Sequence, residues 1–145
     1  ERVSAVLEEE LRRGLDTLQP FHDFRGRVAA HARDLVAAVR KIKAEGQTIL
    51  GYGASTKGNV ILQYCGLGEA DIPYIAEVNE DKFGCFTPGT DIPIISEREA
   101  RAMKPDYFLV LPWHFRQGLV AREQEYLKAG GKLLFPLPQI EIVTA

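Results

Sequence analysis

Cysteine is scarce in this sequence: Cys65 and Cys85 stand twenty residues apart, with no CxxC pair and only three histidines. That excludes both the ligand spacing of a zinc site and the paired framework of a disulfide-stapled domain. Both cysteines are expected to be small core hydrophobes, the usual fate of a free thiol. Surplus positive charge is missing too. Eighteen Lys and Arg against twenty Asp and Glu leave a formal net charge of −2, without the basic footprint that a nucleic-acid partner requires. No apolar run approaches the roughly 20 residues of a membrane span, and no basic segment followed by an apolar one opens the chain. A soluble, cytoplasmic protein with no membrane contact is expected. The chain opens at Glu1 and its single methionine is Met103, the pattern expected of a segment taken from a longer protein.

With 145 residues, 46% of them hydrophobic, there is enough material for one substantial core and too little for two independent ones. Val3, Val6, Leu7, Leu11, Leu15 and Leu18 recur at helical spacing among charges until Pro20, so residues 1–20 read as an N-terminal helix or linker and 21–145 as the folded domain. Phe24, Val28, Leu35, Val39 and Ile42 mark a second helix, with Lys41 and Lys43 in its last turn and Gly46 as its stop. Short apolar runs then alternate with helical stretches. Strands are expected at 48–52, 73–78, 107–111 and 132–135, with a short one at 92–95, and helices at 57–64, 97–103 and 115–129. Because parallel strands need crossover connections, the alternation predicts an α/β fold: a Rossmann-like parallel sheet flanked by helices and preceded by one or two N-terminal helices.

The stretch ILGYGASTKGNV, from Ile49 to Val60, places glycines between the first strand and a helix. Such a turn aims free backbone N–H groups and the positive end of a helix dipole at one point, which suits an anion. Gly51 and Gly53 match the first two glycines of the dinucleotide fingerprint, but the third position holds Thr56 and the next glycine is Gly58. Gly53 and Gly58 also have the spacing of a P-loop, yet Asn59-Val60 stands where Lys-Ser/Thr is needed, which disfavours ATP hydrolysis. The candidate cradle is therefore Gly51, Tyr52, Gly53, Ala54, Ser55, Thr56, Lys57, Gly58 and Asn59. Helix capping by Ser55 or Thr56 and a solvated Lys57 are the plainer alternative. Glu77 ends the second strand, 24 residues beyond Gly53, near where the fingerprint places a ribose-binding acid.

Three further stretches carry a family resemblance: VNEDKFGCFTPGTDIPIIS from Val78, KPDYFLVLPWHF from Lys104 and GGKLLFPLPQIEIV from Gly130. With GYGASTKGNVILQYCGL from Gly51, their order and spacing resemble the C-terminal domain of S-adenosylmethionine-dependent sugar C-methyltransferases, enzymes of deoxysugar biosynthesis that act on nucleotide-linked ketosugars. The resemblance covers residues 21–143. It implies a three-part protein with a cysteine-rich zinc module, a central methyltransferase domain that holds S-adenosylmethionine, and this domain, which packs on the central one and helps hold a thymidine diphosphate sugar. On that basis this segment carries no catalytic residue, no metal and no cofactor of its own, and is inactive alone. The glycine loop then grips the substrate's diphosphate. The family often has Asp at the position of Glu77 and Asn-Pro at Asn79-Glu80. Asn is common at His114, so that side chain is read as a polar contact and not as a base.

Other candidates lie at turns. Pro88, Gly89 and Thr90 form a loop after the second strand that either touches ligand or simply turns the chain. Trp113 and His114 follow a strand whose carboxyl end faces the expected crevice, where an indole stacks on a base and an imidazole offers a donor and an acceptor. Two other functions compete with substrate binding. An NAD-binding domain of an oxidoreductase is favoured by Gly51, Gly53 and Glu77 and weakened by Thr56. A non-catalytic interaction module would use the N-terminal helices to pack on a partner.

Overall fold

The computed structural model describes residues 2–145. They form two compact units, the residues up to Ala32 and Arg33–Ala145. The first holds α1 (Arg2–Arg12) and the opening of α2 (Gln19–Ala44). The helix expected to reach Leu18 stops at Arg12, followed by a turn in which Gly14 takes a φ of 67°. Pro20 falls in the first turn of α2, where its missing N–H leaves no hydrogen bond unmade. Helix α1 buries none of its residues, and Val3, Val6, Leu7 and Leu11 are all more than half exposed.

The second unit is built on β1 (Ile49–Tyr52), α3 (Thr56–Cys65), β2 (Ile75–Glu77), β3 (Ile94–Ser96), α4 (Glu97–Ala102), β4 (Tyr107–Val110), α5 (Arg116–Arg122), α6 (Gln124–Lys128), β5 (Lys132–Phe135) and β6 (Glu141–Val143). The sheet order is β3-β2-β1-β4-β5-β6, the doubly wound order of dinucleotide-binding folds. The expected mixed α/β architecture, with a mostly parallel sheet and N-terminal helices, is what forms. Alternate residues of each strand feed two cores. Ile49, Ile75, Tyr107, Leu109 and Leu134 meet Leu35, Val39 and Ile42 of α2 and Leu62 of α3. On the other face Leu50, Tyr52, Phe108, Val110, Leu133 and Phe135 meet Ala100 of α4 and Leu127 of α6.

Three further expectations fail for identifiable reasons. The last strand, β6, was not anticipated. It pairs antiparallel with β5 through Leu133–Val143 and Phe135–Glu141, and as an edge strand that is half exposed it lacks the apolar run that marks the interior strands. The single helix expected over 115–129 is divided at Glu123, whose φ of −93° and ψ of 16° leave the helical range. Neither cysteine is a core residue: Cys65 is half-buried and Cys85 is exposed.

Glu123 breaks the helix because its side chain is held elsewhere. Only 2% exposed, it accepts from the Tyr52 hydroxyl at 2.7 Å and from Arg101 Nη2 at 2.8 Å to each oxygen. Glu97 bonds both Arg101 and Arg122, at 3.3 and 2.6 Å, so β1, α4 and α5 share one charge network. Burial, and then the bond to Glu123, hold the Tyr52 phenol far above its ordinary pKa. Removing Glu123 leaves the buried Tyr52 hydroxyl without a partner, whereas Arg101, about a third exposed, keeps Glu97. Glu123→Ala is therefore expected to cost about 1–3 kcal/mol in urea unfolding. A loss within experimental error of zero would mean that the network carries no stability.

Candidate functional site

Ligands of open α/β sheets bind beyond the carboxyl ends of the strands, where the strand order reverses. Here the reversal lies between β1 and β4, since β2 and β3 extend from one side of β1 and β4 lies on the other. A cleft of about 220 Å³ opens there, lined by Tyr52, Gly53, Ala54 and Ser55 after β1, Glu77 and Val78 after β2, and Lys82, Glu97, Pro112, Leu119 and Arg122 around them. Two larger hollows, of about 430 and 280 Å³, lie at the opposite edge, beside Asp106 and Gly131 and beside Thr48 and Pro73. They face the amino ends of the strands and bring together none of the residues singled out above.

The glycine loop owes its composition first to packing. A Cβ on Gly51 would run into the Ile75 side chain. At Gly53, φ is 80° and a Cβ would lie 2.8 Å from Pro112 Cδ; at Gly58 it would lie 2.5 Å from Leu111 Cβ. Gly58 thus performs the close helix–strand approach that the third fingerprint glycine provides. Ser55 is the N-cap of α3, its hydroxyl accepting from Gly58 N–H at 3.0 Å. The N–H groups of Thr56 and Lys57, the first two of α3, donate to no acceptor among the described residues, as expected at a helix start.

Glu77 faces this loop from the end of β2 and is 7% exposed. Its Oε1 accepts from the N–H groups of Val78 and Asn79, at 2.7 and 3.1 Å. Its Oε2 accepts from Ala54 N–H at 2.9 Å and Lys82 Nζ at 3.3 Å. Burial pushes the carboxyl pKa up, but these donors outweigh it and hold it below the ordinary carboxylate range. Lys82 also donates to Ala54 O at 2.9 Å. The carboxylate's four acceptor positions are therefore filled from within the chain.

The structure brings Tyr52, Gly53, Ala54, Ser55 and Glu77 into one cleft. Thr56 and Lys57 are exposed on the first turn of α3, and Gly51 lies buried within β1. Asn79 caps a 3₁₀ turn, Glu80–Lys82, accepting from Asp81 N–H. Pro88, Gly89 and Thr90 lie elsewhere: Pro88 O accepts from Gln63 Nε2 of α3 at 2.7 Å, and Gly89 packs on the same side chain. Trp113 packs on the core beside β4, with Lys57 Nζ 6.0 Å from its ring centroid. His114 is exposed, its ring 4.2 Å from that of Phe115. The Trp113 Nε1 and Asn59 Oδ1 atoms are buried without a hydrogen-bond partner among the described residues. Lys82, Glu97, Arg122 and Glu123 were not anticipated. The helical spacing of Glu97 and Arg101 hints at one ion pair, but nothing in the sequence joins them to Glu123 or Tyr52.

A family model for the C-methyltransferase C-terminal domain matches residues 1–138. The chain belongs to this family. It is also 37% identical over 146 residues to the C-methyltransferase NovU of Streptomyces niveus, an alignment covering 99% of this chain and 34% of that protein. The chain thus spans about a third of the length of that relative. No helix among the described residues is long and apolar enough to cross a membrane.

Two measurements probe the loop. If Gly53 is held by Pro112, Gly53→Ala lowers the stability of the ligand-free protein by about 1–3 kcal/mol from strain and overpacking; a glycine kept only for ligand approach would leave ligand-free stability unchanged. Glu77 has a depressed pKa in the folded protein, so its contribution is present above its unfolded value near 4.5 and is lost as pH falls below it. The acid limb of a stability–pH profile should accordingly be shallower in Glu77→Gln than in the natural protein. Parallel limbs would contradict the assignment.

Proposed function

We propose that this domain grips the nucleotide-linked sugar substrate of an S-adenosylmethionine-dependent C-methyltransferase and contributes no catalytic group to the reaction. The observation that carries the reading is the pair of unpartnered N–H groups of Thr56 and Lys57 at the topological switch point. Beside them stand the Lys57 ammonium and the Ser55 hydroxyl. Such a helix start takes a phosphate oxygen directly. Trp113 lies next to Lys57 and supplies a flat apolar surface for a base.

The dinucleotide alternative loses its main support at Glu77. In an NAD site the acid after the second strand accepts from ribose hydroxyls, whereas here its oxygens are occupied by Ala54, Val78, Asn79 and Lys82. A thymidine nucleotide, whose deoxyribose lacks a 2′-hydroxyl, makes no such demand.

Methyl transfer needs a sulfonium donor in line with a nucleophilic carbon and a base to generate the carbanion beside a ketone. On this reading both, together with the structural zinc, belong to the remainder of a longer cytoplasmic enzyme. That remainder would pack over the carboxyl edge of the sheet. Val78, directly after β2, and Phe115, after β4, are 60% and 63% exposed there, and a covering domain would bury both.

Titration of the isolated chain tests the reading. Thymidine diphosphate is expected to bind and change Trp113 fluorescence, NADH to bind more weakly, and S-adenosylmethionine to bind no tighter than about 100 μM, roughly −5.5 kcal/mol. Lys57→Ala should weaken thymidine diphosphate by at most about 1 kcal/mol, because the ammonium is exposed and screened. Tight NADH binding with no response to thymidine diphosphate would replace this reading with the oxidoreductase one.

A further inference from the structure

Ala54 is held at both of its backbone polar groups by one ion pair. Its N–H donates to Glu77 Oε2 at 2.9 Å, and its carbonyl accepts from Lys82 Nζ at 2.9 Å, while Lys82 and Glu77 meet at 3.3 Å. The other Glu77 oxygen is bound by two successive amides at the end of β2. A buried carboxylate thereby bolts the strand end of β2 to the residue that precedes the N-cap of α3. It also occupies, from within, the anion-attracting amide that lies nearest the β1–β2 side of the cleft.

We propose that Glu77 is a positioning and specificity-determining residue of the nucleotide site: it fixes the loop before α3, closes the β1–β2 side to an external anion, and leaves a diphosphate only the N–H groups of Thr56 and Lys57. This rests on the substrate-binding reading above. The consequence for specificity is physical. A dinucleotide must lay its ribose against the acid after β2, and this acid has no free lone pair and little exposure. A nucleoside diphosphate needs only the start of α3. Among the groups lining the same cleft, Glu97 of α4 and Arg122 of α5 are bonded to each other at 2.6 Å, so the cation directly on Glu77 is Lys82.

Amide NMR on the full chain, with Glu77→Gln and Lys82→Met variants, tests this. In the ligand-free natural protein the amide protons of Ala54, Val78 and Asn79 are expected to titrate together, with one midpoint below the ordinary carboxylate range. Glu77→Gln abolishes that common titration. Thymidine diphosphate is then added at pH values either side of the midpoint. The natural protein should lose affinity on the acid side more steeply than Glu77→Gln, which is expected to bind at least tenfold more weakly at neutral pH with little dependence on Glu77's midpoint. Lys82→Met, which keeps all three amide bonds, should weaken binding a few-fold and decides the matter if Glu77→Gln does not fold. Unchanged thymidine diphosphate affinity in a folded Glu77→Gln, or in Lys82→Met where only that variant folds, overturns the positioning role while leaving the substrate reading intact. Absence of thymidine diphosphate binding by the natural protein, with the three amides still titrating together, overturns the substrate reading and this role with it.

Discussion

β1 has no free space beside it, and the layout of the cleft follows from that. It is an interior strand, with β2 on one side and β4 on the other. Side chains at 51, 53 and 58 would collide with Ile75, Pro112 and Leu111 respectively. Glycine at these positions lets β2 draw level with β1, lets the turn after β4 lean on the turn after β1, and lets α3 lie close against the sheet. The close approach brings the carboxyl ends of β1 and β2 near enough for one glutamate side chain to span them. Loop and crevice are thus consequences of packing before they are features of recognition.

Two carboxylates, Glu77 and Glu123, are buried within that arrangement, at 7% and 2% exposure. A buried charge left unpaired would cost several kcal/mol, and neither is left so. Glu123 ties Tyr52 of β1 to Arg101 of α4, and Glu77 ties the end of β2 to the loop after β1. Each interaction uses a side chain from one element to satisfy polar groups on another. Glu77 therefore presents no free lone pair to the cleft it lines, whose other charged groups are Lys82, Glu97 and Arg122.

The fold was legible because the strands that make it are buried on both faces and read as short apolar runs between helices of regular period. Ile49-Leu50, Tyr107 to Val110 and Lys132 to Phe135 are of this kind, and their burial patterns are nearly unbroken. β6 was not legible, since an edge strand with Glu141 and Ile142 exposed carries no such run. The division at Glu123 was hidden for a different reason. It is caused by partners 71 and 22 residues away, Tyr52 and Arg101, and local periodicity holds no record of them. At the cleft, sequence found Gly53, Ala54, Ser55 and Glu77 because a fingerprint with a known mechanism runs through them. It missed Lys82 and Arg122, solvent-facing types whose relevance comes from partners distant in sequence, the Ala54 carbonyl and the Glu97 carboxylate.

The displaced third glycine shows how spacing and geometry diverge. A fingerprint counts residues from the strand, but what the fold requires is a side-chain-free position where the helix crosses the neighbouring strand. In this chain Ala54 and Ser55 precede the helix, so the position of closest approach is Gly58, against Leu111, and Thr56 begins the helix in solvent. The two intervening residues are not idle. Ala54 presents its amide to Glu77, and Ser55 caps the helix. Had the helix begun at Ala54, that amide would have been one of its free first-turn donors and Glu77 would have faced a helix start, competing with any phosphate for it. The longer turn separates the two anions instead: the protein's own carboxylate is held before the cap, and the first turn of α3 stays open. On the proposed reading, that separation is what converts a dinucleotide-type loop into a site for a nucleoside diphosphate.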